Sequence, residues 1–134
     1  MLTCGVVPTA ADLGLEARVQ QIYDAVHDLM AKHQPALLAL EDLYTEYRFP
    51  RTALLMAHAR GVVCLAARQH DVGVVTLAPA EVKRAVAAHG AASKAQVQHG
   101  MQRLLGLPAL PRPSHVADAL ALAWTGLSRA RAHP

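Results

Sequence analysis

Residues 36–44 read ALLALEDLY, and the fold turns on them. Five apolar residues follow Pro35 and are closed by Glu41 and Asp42, the pattern of a short buried strand whose carboxyl end carries acids. Leucine and alanine are weak strand formers, so this expectation rests on pattern rather than propensity. Upstream, Leu15, Val19, Ile22, Val26 and Leu29 recur at spacings of three and four, which predicts an amphipathic helix over about 12–33. Downstream, the polar and aromatic loop DLYTEYRFPR (42–51) leads to an alanine-rich helix over about 51–70, and Val72–Leu77 predicts a second strand. Helices follow over about 80–88, 93–105 and 114–129; Ser93 is placed to cap the second of them, and the turn LGLPALPRP (105–113) precedes the last. The apolar run 2–8 is a third strand candidate. Strands alternating with helices, without repeats or a low-complexity linker, predict one α/β domain over 1–134 with parallel strands and crossover helices.

Composition narrows the function. At 134 residues the chain is long enough to bury roughly two-thirds of its unfolded surface. With 53% hydrophobic and 17% charged residues it falls outside the disordered class. Cys4 and Cys64 form no CxxC pair, and no apolar run reaches the roughly 18 residues of a membrane helix, which argues against a disulfide scaffold, a zinc finger or a membrane span. The amino terminus has no basic region and its apolar stretch is cut by Pro8 and Asp12, so no secretory signal is read and a cytoplasmic location is expected. The net charge of +3 is uneven. Residues 1–78 hold six Lys/Arg against eight Asp/Glu, whereas residues 79–134 hold seven against two. The basic half predicts an anionic partner, of which nucleic acid is the commonest.

Three groups of residues could carry chemistry. Glu41 stands where an apolar strand ends, and ligand sites of open α/β sheets gather at the carboxyl ends of strands; equally, Glu41 and Asp42 could simply begin a solvated loop. In RPSHVADALALAW, His115 and Asp118 are three apart and share a helix face, where a carboxylate and an imidazole can meet one divalent cation or one attacking water. Asp118 could instead serve the positive end of its own helix. Lys83, Arg84, Lys94 and Arg103 lie on consecutive helices of the basic half, where they could touch phosphates; Tyr44, Tyr47 and Phe49, with Arg48 and Arg51, form an aromatic and basic cluster beside Glu41 that could meet bases. His27, His33, His58, His70, His89, His99 and His133 show no ligand spacing.

Taken together, ALEDLY (39–44), HARGVV (58–63), VKRAVAAHGAASKAQVQHGM (82–101), LLGLP (104–108) and SHVADALALA (114–123) resemble the RuvC family of Holliday junction resolvases, in order and over nearly the whole chain. The resemblance implies an RNase H-like domain, a central mixed sheet flanked by helices, acting as a homodimer on four-way junction DNA alongside a branch-migration motor complex. It implies a metal-dependent endodeoxyribonuclease using two Mg²⁺ ions, with Mn²⁺ as a substitute. Glu41 and Asp118 would be metal ligands, His115 would help hold metal or water, and Lys83 and Lys94 would lie near the junction backbone. Tyr44 would stack on bases, and the helix around Ala57–Val62 would join the dimer interface. Beside what the resemblance implies, Arg48, Arg51 and Arg84 are expected as further DNA contacts from their place in the basic and aromatic clusters. The family's opening strand bears GIDPG, whose Asp is a ligand; MLTCGVVPTAADLG has no counterpart and resembles the family's third strand instead. The expectation is thus an amino-terminally truncated member, with a catalytically impaired or inactive junction-binding fragment as the alternative to a working nuclease.

Overall fold

The computed structural model describes residues 3–43 and 50–132. Its elements are α1 (Leu15–His33), β1 (Leu37–Glu41), α2 (Pro50–Gln69), β2 (Gly73–Leu77), α3 (Pro79–Ala87), α4 (Lys94–Leu105) and α5 (Ser114–Ala132). Every helix expected from the periodicity is present, displaced by three residues or fewer at its ends. The strands β1 and β2 pair in parallel, from Gly73 N–H to Ala36 O at 3.3 Å to Asp42 N–H to Leu77 O at 2.9 Å.

The expected third strand and mixed sheet are corrected. Residues 3–10 take no regular structure, and the sheet of the described residues holds two strands. Val6 and Val7 are exposed. A strand persists only where its N–H and C=O groups find a partner edge, and an apolar run interrupted by Gly5 and Pro8 finds none.

The chain divides into two compact units. The first combines residues 39–42 and 75–134 with 1–6; the second combines 7–38 and 43–74. In the first, Val82 and Val86 on α3, Val97 and Met101 on α4, and Ala117 and Ala121 on α5 recur at steps of four and bury one face of each helix with Leu77 and Ala92. Gly100 fixes how closely α4 meets α3, because a Cβ built there would lie 2.2 Å from the Val86 carbonyl oxygen. Ser93 caps α4 as expected. Its hydroxyl accepts from Gln96 N–H at 3.2 Å while the Gln96 side chain accepts from Ser93 N–H at 2.8 Å, a reciprocal capping box. Gly106 in the left-handed region (φ 60°) ends α4, and Gln98 Nε2 donates to Pro111 O at 2.9 Å, tying the following turn to the helix.

In the second unit α1 packs on α2. Met30, Ala66, Ala67 and Val72 are buried, with Tyr23, Val26 and Leu38 against them. Small residues on α2 let the two helices approach, and the contact is finished by polar rings: Tyr23 stacks on His27 at 5.7 Å, His27 meets His70, and the Tyr23 hydroxyl donates to Gln69 Oε1. Among the described residues no helix is long and apolar enough to cross a membrane.

Candidate metal site and nucleic-acid interface

The site is assembled at the carboxyl ends of the strands, within the first unit. Glu41 is the last residue of β1, and the Asp42 N–H to Leu77 O bond sets that end beside the end of β2. One residue beyond β2, Ala78 takes an extended N-cap conformation and Pro79 opens α3, which brings Lys83 into the second turn, half-buried, while Val82 and Val86 face the core. On α5, Ala117 and Ala121 are buried and Asp118 between them points to the exposed face.

These three side chains form an electrostatic group. Partial desolvation is the largest influence on Glu41 and raises its pKa above the usual carboxylate range; the Asp118 charge raises it further, and the Lys83 ammonium partly offsets both. A carboxylate pair that repels itself in this way gains when a cation arrives between its members. Glu81, the one acid of α3, is turned to Arg129 at 3.7 Å.

Both oxygens of the pair suit a hard cation, and Mg²⁺ is ordinarily held by one or two carboxylates with substrate phosphates and water completing the shell. The pair thus fits one such ion in chemistry. It does not fit two in number. Among the described residues no group of three or more His, Cys, Asp or Glu side chains gathers as a metal shell. His115 is one turn before Asp118 and exposed, so Glu41, His115 and Asp118 do not close into a three-ligand set.

Of the residues read as DNA contacts, Lys83 is half-buried and Arg84 exposed on α3, Lys94 is exposed in the first turn of α4, and Arg51 is exposed in the first turn of α2. Tyr44 and Arg48 lie outside the described residues, as do Tyr47 and Phe49. Two features were missed by sequence reasoning. Lys83 acts on Glu41, which its spacing alone does not reveal, and His27 meets His70 across 43 positions of sequence, a pairing no local pattern signals.

Residues 1–126 match the family model described as crossover junction endodeoxyribonuclease RuvC. The chain belongs to the RuvC family. The RuvC of Fusobacterium nucleatum is 36% identical over 124 residues, covering 92% of this chain and 65% of that protein. The RuvC of Gloeobacter violaceus is 43% identical over 122 residues, covering 91% and 69%. The chain therefore spans about two-thirds of the length of these curated RuvC relatives. Among solved structures, Thermus thermophilus RuvC superposes with a TM-score of 0.88 at 37% identity, over 98% of this chain and 78% of that one. Thermus thermophilus RuvC in complex with Holliday junction substrate superposes with a TM-score of 0.91, over 98% and 79%. With two parallel strands and flanking helices, the topology is that of an RNase H-like α/β fold of the RuvC kind.

Proposed function

We propose that this chain binds four-way junction DNA as a RuvC-family homodimer, within one domain over 1–134, and that its hydrolysis of the DNA backbone is impaired. The observation that carries this reading is the two-carboxylate site: Asp118 and Lys83 both act electrostatically on Glu41, and no group of three or more ligating side chains gathers there among the described residues. Phosphodiester hydrolysis by paired ions requires them about 4 Å apart around the scissile phosphate, which demands more protein oxygens than one pair supplies. Binding has support of its own. Residues 79–134 carry seven basic against two acidic residues, Arg84 and Lys94 are exposed, and a junction-bound RuvC is the fold's close structural counterpart.

In this reading Lys83, Arg84, Lys94, Arg51 and Arg48 contact phosphates, and Tyr44 stacks on bases near the crossover. Glu41 and Asp118 hold one Mg²⁺, or Mn²⁺ in its place; when bound, the ion supplies charge neutralisation beside a backbone phosphate. A branch-migration motor is the expected protein partner. The second reading, a metal-dependent junction endonuclease with Glu41, Asp118 and His115 as its catalytic set, is favoured by one observation: a mutually repelling acid pair at a strand end is costly to keep unless a cation uses it.

A synthetic four-way junction separates the two. Binding should weaken steeply with salt, remain close to wild type in Glu41→Gln and Asp118→Asn, and be accompanied by background cleavage in Mg²⁺ for all three proteins. Robust symmetric cutting by the wild-type chain, abolished in both variants, would replace this reading with the nuclease.

A further inference from the structure

Away from the acid pair, α1 and the end of α2 bring two imidazoles together. His70 Nε2 lies 2.9 Å from His27 Nδ1, with ring centroids 4.6 Å apart and ring planes inclined at 59°. Both residues are half-buried. The His27 ring is held in place by Tyr23, which stacks on it from one turn earlier and whose hydroxyl bonds to Gln69, the neighbour of His70. His70 also lines an open pocket with Met30, Gln34, Pro35 and Val72, which leaves room for water.

We propose that His27 and His70 form a two-histidine site for a divalent transition ion of the nickel or copper(II) type, which would clip α1 to α2. Imidazole nitrogens suit these ions, and metal–nitrogen bonds of about 2.0–2.1 Å meeting near a right angle put the two nitrogens ~2.9 Å apart, whereas a tetrahedral ion needs about 3.3 Å. The observed separation thus matches adjacent positions of a tetragonal ion without movement of either helix. The convergence of the rings agrees: centroids at 4.6 Å are nearer than the roughly 5 Å of two imidazoles joined by a straight hydrogen bond. Without an ion the two nitrogens share one proton. On binding, that proton moves to the outer nitrogen of its own ring, both rings stay neutral, and water fills the remaining positions. The tether formed by Tyr23 and Gln69 holds both rings ready for this.

The site is independent of the reading given above for the acid pair, and its test is binding rather than cleavage. The full chain is titrated with NiCl₂ and CuSO₄ by calorimetry, and the copper form is examined by electron paramagnetic resonance. Saturable one-to-one binding is expected, with hyperfine splitting from two nitrogens. His27→Gln and His70→Gln should each weaken binding by at least about tenfold. Glutamine can keep a hydrogen bond to the remaining ring, and circular dichroism checks that the helices persist. The other described histidines are present in both variants, so equal affinity in wild type and variants overturns the assignment. If a variant fails to fold, the wild-type spectrum alone decides: splitting from fewer than two nitrogens, or no saturable binding, overturns it as well.

Discussion

The two units are built on different principles. In the unit of α3, α4 and α5, eight buried apolar residues interlock among those described, the buried Thr125 hydroxyl donates to its own helix at Ala121 O, and the charged Glu41, Lys83 and Asp118 stand at the rim. In the unit of α1 and α2, a cluster of four buried residues among those described, two of them alanine, is supplemented by a stack of tyrosine and histidine rings. An interlocked core fixes positions, and charges placed on its rim can be held close enough to repel. A contact finished by polar rings gives less burial per residue and more dependence on what those rings bind.

Paired truncations test this contrast most severely. Met101 is fully buried within the larger core, whereas Met30 lines an open pocket and its buried neighbours are few. Met101→Ala should cost about 4 kcal/mol and Met30→Ala about 2 kcal/mol, read by denaturant unfolding with hydrogen exchange resolving each unit. Equal costs would remove the distinction. Next in size, Gly100→Ala forces a methyl group into the Val86 carbonyl and requires α3 and α4 to separate; a loss of about 3 kcal/mol is expected, despite the gain in helix propensity.

The rim charges give the smallest effect and the one with a sign to check. Glu41 has its pKa raised in the folded protein, so its contribution favours folding in acid and is lost as pH rises through and above the usual glutamate range. Without divalent cations, Glu41→Gln should therefore melt slightly above wild type at neutral pH, with the difference closing in acid. Asp118→Asn should move the Glu41 titration, followed by NMR, downward. An unmoved Glu41 titration in Asp118→Asn would mean that the two acids do not interact, and an unchanged melting profile in Glu41→Gln that Glu41 carries no desolvation cost.

Much of this was legible because periodicity follows burial. The steps of four that bury Val82 and Val86, Val97 and Met101, and Ala117 and Ala121 are readable in the chain, as are the cap at Ser93 and the acid at the end of β1. Residues 2–8 misled because an apolar run specifies a strand only if an edge is available to it, which is a property of the rest of the sheet. The nearness of Glu41 to Asp118 followed from strand-end logic and family resemblance, while the part played by Lys83 required the angle at which α3 leaves β2. Gly100 carried a readable hint, since glycine inside a helix is costly and invites a packing explanation. His27 and His70 carried none, because each is an unremarkable helix-face or helix-end histidine until α1 and α2 are paired.

The bond from Gln98 to Pro111 has a mechanical consequence for the acid pair. A helix is a screw, and an acid on it is aimed by rotation as much as by height, about 100° for each residue. By clamping the turn before α5 to α4, Gln98 sets the phase at which that screw begins, and Asp118, four residues past Ser114, inherits it. Changes of length upstream of the clamp can be absorbed by the turn, but one residue inserted between Ser114 and Asp118 would swing the carboxylate about a quarter of the way around the helix, leaving Glu41 without its counterpart while every residue type at the site remained in place.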